Sequence, residues 1–377
     1  MLRAAQDIDA EVLVVDNNSS DGSVEYLQKR FPNVIIIANS NNPGFGKACN
    51  QGLHKATGRY VLFLNPDTIV PEQSFSACIR FADETRDFGS LGCKMIDGSG
   101  VFLPESKRLF PTAARSVFRL TGLNRIFPRS RVFSGYYAGH LPENKISEVD
   151  VIAGAFFFAA RKTLMELKGF DEDFFMYGED IDLSYRIQAK GLKNYYFPEV
   201  TIIHFKGESV QKFSAGHRKH FYGAMKLFVK KHYSKGLESF FLNAGIGLSS
   251  RLATPKKRVM AQKTSTLAIL ANDNTFQQVV HQLKFADPPV FLAGRVSIQD
   301  EPGALCSLSR LRECLRKKEF DTLLVCCEDI GFDSAINILH QYKRKLEFLF
   351  HPGGGSAIVG STDRDLQGRV IAKPGDQ

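Results

Sequence analysis

The chain has 377 residues, 44% of them hydrophobic and 24% charged, with 49 Lys and Arg against 40 Asp and Glu. Those proportions exclude a disordered or collagen-like chain, and the length exceeds what one core usually supports, so two domains are expected. The net charge of +9 points to an anionic partner: nucleic acid, a phosphorylated substrate or a membrane surface.

The seven cysteines are scattered with no CxxC pair, which predicts buried, reduced thiols and no zinc site. The opening MLRAAQDIDA lacks the apolar core of a signal peptide. The longest apolar stretches, Val151–Ala160 and Ser239–Leu248, are about half the ~20 residues that span a bilayer. A cytoplasmic protein is expected, with any membrane contact peripheral.

In chain order, Glu11–Val15 reads as a short strand ending in Asp16, and Ser19–Ser23 as turn and cap chemistry before a helix over Val24–Phe31. Val34–Ala38 is a strand and Gly46–Thr57 a helix. Tyr60–Leu64 is a strand ending at Asn65-Pro66-Asp67, and Pro71–Thr85 is a helix. This alternation predicts a mostly parallel, twisted sheet flanked by helices, with ligands outside the carboxyl ends of its strands. The chain opens on what reads as the tail of a helix with no strand before it, so a first strand and most of a first helix are expected to be missing. Val149–Ala160 is a strand-like run, Asp180–Lys190 a helix, Tyr195–Phe197 and Val200–His204 strands, and Phe221–His232 an amphipathic helix. A second α/β pattern follows: strands at Thr266–Leu270, Val290–Ala293, Thr322–Cys326 and Leu346–Phe350, helices at Phe276–Phe285, Leu305–Lys318 and Ala335–Lys345, and a tail read as loop. The predicted organisation is a domain over 1–235, a basic amphipathic linker over 236–263, and a smaller Rossmann-like α/β domain over 264–377.

Four clusters in the first domain carry candidate chemistry: Asp16 to Asp21, Asn65-Pro66-Asp67, Glu179-Asp180 and His204. Asp67 and His204 each end a strand. A carboxylate and an imidazole there suit Mg2+ or Mn2+, which needs few protein ligands when substrate phosphates supply the rest, and which neutralises a diphosphate leaving group. On the next helix Asp180, Leu183 and Ile187 share one face, so Asp180 tops an apolar stripe at a helix N-terminus, where a carboxylate is favoured and can accept a proton from an incoming hydroxyl. Glu179 and Asp182 lie on another face and are expected to orient Arg186 or nearby backbone.

These residues sit in longer motifs. Val14-Val-Asp-Asn-Asn-Ser-Ser-Asp-Gly-Ser23, Asn42-Pro-Gly-Phe-Gly-Lys-Ala-Cys-Asn-Gln-Gly52, Phe63-Leu-Asn-Pro-Asp-Thr68, Gly154-Ala155, Gly169 through Leu183, and His204-Phe-Lys-Gly-Glu-Ser209 occur in that order. Together, over about residues 5–235, the chain resembles glycosyltransferase family 2, with the GT-A fold, and within it the rhamnosyltransferase-like subgroup, which carries Asn-Pro-Asp where other members carry Asp-x-Asp. The resemblance implies an inverting transfer from a dTDP- or UDP-sugar to a saccharide acceptor, lipid-linked, in cell-surface polysaccharide synthesis. It implies that Asp16 binds the nucleoside, that Asn42, Gly44, Phe45 and Asn50 shape the donor pocket, and that Glu179 belongs to the substrate-binding set. It implies further that Gly154 lies beneath the acceptor sugar, that Asp67 and His204 hold the metal, and that Asp180 is the general base. Two departures stand out: the family's opening strand is absent, and Asn65 replaces the first Asp of the metal motif.

In the second domain, Ile269-Leu-Ala-Asn-Asp-Asn274 stands where a glycine-rich loop would bind a dinucleotide, so docking or regulation is favoured over dinucleotide binding. His351-Pro-Gly-Gly-Gly-Ser356 lacks the lysine of a P-loop and reads as a loop. Two other readings remain open: a sugar-phosphate nucleotidyltransferase, and a catalytically impaired scaffold that binds a partner through its second domain.

The charge is uneven. Residues 107–131 hold +7 and residues 226–263 hold +8, so the remainder carries −6. Both segments interleave Phe and Leu with the cations, which predicts an interfacial surface for an anionic membrane, on the inner face of the cell membrane. Neither segment has the spacing of a DNA-binding motif, and no nucleic-acid partner is expected.

Overall fold

The computed structural model describes residues 1–112, 135–205, 215–233, 266–284, 290–343, 345–353, 357–360 and 369–371, with positions 115, 126, 127, 130 and 131. The predicted linker over 236–263, most of the basic segments and part of the 351–356 loop fall outside these residues.

Leu13–Asp16 (β1) and Ile35–Ala38 (β2) pair in parallel and form a two-stranded sheet of their own. Ser23–Arg30 (α1) joins them and buries none of its residues. Phe45–Lys55 (α2) buries Ala48 and Leu53 and lays Gly52 against Val15 of β1.

A second sheet takes Tyr60–Leu64 (β3), Thr68–Ile69 (β4), Phe88–Ile96 (β5), Ser147–Val149 (β6), Phe156–Ala160 (β7) and Lys193–His204 (β8). Its order is β3-β7-β5-β8-β4, with β6 also on β8. Ser74–Glu84 (α3), Arg161–Glu166 (α4), Glu179–Ala189 (α5) and Ala215–His232 (α6) flank it. Central sheets flanked by helices are the α/β class expected. The pairing is more mixed than expected: β5 and β8 run parallel, while β3–β7, β5–β7, β4–β8 and β6–β8 are antiparallel. The cause lies in the apolar run Val149–Ala160. It breaks between β6 and β7, and β7 then runs opposite to both β3 and β5. All nine residues of β5 are buried, yet Gly89, Ser90, Gly92 and Lys94 interrupt its apolar pattern, and it is not among the predicted strands. The predicted strands Tyr195–Phe197 and Val200–His204 are one strand, with Pro198 absorbed at a register shift against β5.

From Thr266 a third sheet forms: Thr266–Leu270 (β9), Phe291–Ser297 (β10), Cys306–Ser307 (β11), Thr322–Cys326 (β12), Glu347–His351 (β13), Ile358–Gly360 (β14) and Arg369–Ile371 (β15), in the order β11-β10-β9-β12-β13-β14-β15. The first five strands are parallel and the last two antiparallel. Asp273–Leu283 (α7), Leu311–Lys317 (α8), Cys327–Ile330 (α9) and Phe332–Tyr342 (α10) accompany them. Two expectations fail here. The helix expected from Leu305 begins at Leu311, because Cys306 and Ser307 pair with β10. The tail expected as loop contributes β14 and β15.

The second and third sheets share an apolar cluster: Ile69, Ile96, Ile203 and Phe205 pack with Leu339, Tyr342 and Phe350. The Phe205 and Phe350 ring centroids are 6.0 Å apart. The Glu72 carboxylate accepts the Phe332 and Asp333 amides, at 2.7 and 3.0 Å, and so caps the N-terminus of α10. Arg3 donates to the Cys327 carbonyl at 3.0 Å. All seven cysteines are free thiols.

Candidate active site

Asp16 ends β1, and its Oδ2 accepts the Ser19 amide at 3.0 Å, bracing the turn that follows the strand. The neighbouring amide side chains form a network that sequence reasoning missed. Asn39 donates to Asn17 (3.0 Å) and Gln51 (2.9 Å), and Asn17 donates towards Asn42 and the Gly44 carbonyl, both at 3.4 Å. Asn42 Oδ1 also accepts the Gly44 amide at 3.0 Å. The network ties the ends of β1 and β2 to the start of α2. Its signal was the density of Asn after two successive strands.

Gly44 has φ of +98°, and a Cβ there would lie 2.6 Å from the Phe175 carbonyl oxygen. Only glycine fits, because the loop before α5 crosses directly over it. The Phe45 amide donates to that same carbonyl at 3.0 Å. Phe175 keeps 39% of its surface exposed, and its ring lies 5.1 Å from that of His220. Asn50 is buried at 4% exposure: its Oδ1 accepts the Phe170 amide at 2.8 Å, and its Nδ2 donates to the Phe170 carbonyl at 2.9 Å and to Glu172 at 3.1 Å. It acts on the site by holding that loop. Asn50→Ala strands a buried backbone amide and carbonyl, so a loss of about 2 kcal/mol in stability is expected in chemical denaturation.

Gly154 lies between Phe45 and Asp180: a Cβ on it would sit 3.5 Å from Phe45 Cε1 and 3.7 Å from Asp180 Cβ. Gly178, left-handed at φ of 85°, starts α5, and Leu183 and Ile187 on its inner face are fully buried. Asp180 Oδ2 accepts from the Gly154 amide at 3.2 Å and from Arg108 Nη2 at 2.6 Å. Arg108 also reaches the Ile152 carbonyl at 3.2 Å and the Tyr136 hydroxyl. Burial opposes its charge, but Asp180 and Tyr136 outweigh burial and hold the guanidinium more firmly protonated than usual.

Asp182, not Glu179, takes Arg186, at 2.7 Å and i,i+4 spacing, and it also meets His232 of α6 at 2.6 Å. Burial opposes ionisation of Asp182, but these two partners lower its pKa below the ordinary carboxylate value. Of the two acids expected to orient Arg186 or nearby backbone, Asp182 takes Arg186, and buried Glu179 meets its own backbone amide. Geometry explains this: residue 186 lies one turn from 182 and two from 179.

Asp67 Oδ1 and His204 Nε2 are 3.2 Å apart, both largely buried. The pairing of Thr68 with His204 places them side by side. His204 Nδ1 is buried without a hydrogen-bond partner. The Asn65 amide donates to the Ala155 carbonyl at 3.0 Å, so this corner adjoins the Gly154 turn. Among the described residues no group of three or more His, Cys, Asp or Glu assembles as a metal cage. Two ligands of this kind fit an ion that draws its remaining oxygens from a substrate diphosphate.

Three cations of the basic segment 107–131 serve the interior instead of an outer surface. Lys107 is buried, with its ammonium on the Ala138 and Leu141 carbonyls. Arg108 serves Asp180, and Arg115 binds the Phe110 carbonyl and lies 3.7 Å from Asp150. Phe110 packs against Tyr185 and Phe228. These side chains face inward because buried carboxylates and carbonyls need them. Lys231, in the second segment, pairs with Asp171 and Asp173. The other cations of residues 113–134 and 234–263 fall largely outside the described residues. Among those described, no helix is long and apolar enough to cross a membrane.

In the third sheet, at the crevice between β9 and β12, Asp329 accepts from the Asn272 amide (2.8 Å), Asn272 Nδ2 (2.6 Å) and Thr275 Oγ1 (3.0 Å), while Asn272 Oδ1 takes the Thr275 amide (2.8 Å). A carboxylate of the chain itself thus occupies the head of α7, where a bound phosphate would need those donors.

Residues 2–141 match the family model described as glycosyl transferase family 2. The N-acetylglucosaminyl-diphospho-decaprenol L-rhamnosyltransferase of Mycobacterium tuberculosis is 26% identical over 244 residues, covering 62% of this chain and 78% of the relative. Rhamnosyltransferase WbbL of Escherichia coli is 27% identical over 175 residues, covering 46% of this chain and 62% of the relative. Among solved structures, S. aureus TarS 1-349 in complex with UDP covers 97% of this chain and 92% of its own at 15% identity, but a TM-score of 0.40 is too low to argue from. Over residues 2–141 the chain is thus similar to glycosyl transferase family 2, and over a longer stretch it is similar to rhamnosyltransferases.

Proposed function

We propose that the protein moves a sugar from a dTDP- or UDP-sugar to a hydroxyl of a lipid-linked saccharide, with inversion and with Mg2+ or Mn2+, in cell-surface polysaccharide synthesis. The observation that carries the reading is the meeting of Gly154, Phe45 and Asp180 with Arg108, beside the Asp67–His204 corner. Asp16, Asn42 and Gly44 border the nucleotide end. The aromatic edge of Phe45 and the turn at Gly154 form the sugar end of the site. Asp180, steadied by Arg108 and the Gly154 amide, takes the proton of the attacking hydroxyl. Asp67 and His204 would hold the divalent ion, which would supply positive charge against a diphosphate leaving group. The relative that acts on a decaprenol-linked sugar supports a lipid-linked acceptor. The acceptor is met at the anionic inner face of the membrane, through cations of the two basic segments other than Lys107, Arg108, Arg115 and Lys231.

Calorimetric titration of UDP- and dTDP-sugars with Mn2+ or Mg2+ tests this reading. One of them is expected to bind, with metal, in the micromolar range of about −8 kcal/mol. If none binds, the scaffold reading takes its place.

A further inference from the structure

The head of α5 holds two adjacent carboxyls and a single guanidinium. Arg108 is committed to Asp180, and Arg186 and His232 are committed to Asp182. Glu179 is only 7% exposed, and its Oε2 is buried with no hydrogen-bond partner. Around it stand Asp180 on its own helix, the Tyr177 phenol before the helix and the Cys49 thiol on α2, and among the described residues Arg108 is the one cation acting on it. A buried carboxylate whose one donor is its own backbone amide, and whose one nearby cation is engaged elsewhere, is costly, and the usual escape is to keep its proton.

We propose that Glu179 works as a neutral, protonated carboxyl, a positioning residue that leaves the pair with one negative charge, held on Asp180 and locked to Arg108. The proposal rests on the reading of Asp180 as the base. If Glu179 ionised, a second carboxylate would compete for the same guanidinium and repel the first. The proton keeps the Arg108–Asp180 pair exclusive. Burial first, and the Asp180 charge second, push the Glu179 carboxyl up to about 8, against weaker pulls from its own backbone amide and from Arg108. Its neutrality also suits Cys49, whose own thiol burial and Glu179 push upward.

The test compares the wild type with Glu179→Gln, which mimics the protonated group, and with Glu179→Met, which removes its polarity. A carboxyl raised in the folded state contributes stability that is complete below its unfolded value near 4.3 and is lost as pH rises through about 8. The wild type should therefore melt progressively lower relative to both variants between about pH 5 and 8, with no further divergence above that. Its kcat/KM should fall about tenfold per unit above pH 8 relative to that of Glu179→Gln, whose profile should lack this limb. Parallel melting profiles from about pH 5 to 8, or a high-pH limb that Glu179→Gln retains, overturn the proposal. The melting comparison needs no turnover, so it judges Glu179 separately from any failure of Asp180 as the base.

Discussion

Replacing Asp180 by Asn lowers kcat by about 10³-fold or more and leaves donor affinity unchanged, because it removes a proton acceptor and little volume. An amide oxygen still accepts from Arg108 or from the Gly154 amide, so the turn and the Phe45 contact persist. What is lost is the charge that balances Arg108, whose side chain is only 11% exposed. An uncompensated buried guanidinium costs about 3 kcal/mol, so the variant should also melt earlier. Single-turnover assays on folded protein, beside donor titrations, separate the two effects. Retained turnover in a folded Asp180→Asn would sink the assignment, whereas lost donor affinity would move Asp180 into the donor pocket.

Removing the Asp67 carboxylate strikes at the other end of the reaction. Asp67→Ala should bind donor at least about tenfold more weakly in Mn2+ than the wild type. Chelation by EDTA should then cost the variant nothing further, while it brings the wild type down to the same level. His204→Ala should move in the same direction, since its imidazole meets the same corner at 3.2 Å. If EDTA leaves donor affinity of the wild type untouched, Asp67 and His204 hold no metal for the donor.

What the sequence made legible follows from short-range rules. The inward face of α5 was readable because Leu183 and Ile187 repeat at helical spacing. The placing of Asp67 and His204 was readable because each closes an apolar strand. Arg108 was not readable. A charge run counts cations without their partners, and the partner of Arg108 lies 72 positions along the chain. Asn50 was read as a pocket residue, yet it works through a backbone 120 positions away. The mixed sheet was hidden for a related reason. Periodicity reports that a segment is buried, not which way it runs, and β7 is as apolar in either direction.

Phe205 follows His204 directly, and its ring is buried against the sheet that begins at Thr266. Severing the chain after α6 would therefore do more than discard a appended piece. It would bare Ile69, Ile96, Ile203 and Phe205 as an oily scar one residue from a proposed metal ligand, and it would leave the Glu72 carboxylate without the amides it caps. The imidazole is kept in place by a wall that belongs to the far end of the chain, so the unit of folding is larger than the segment that bears the chemistry.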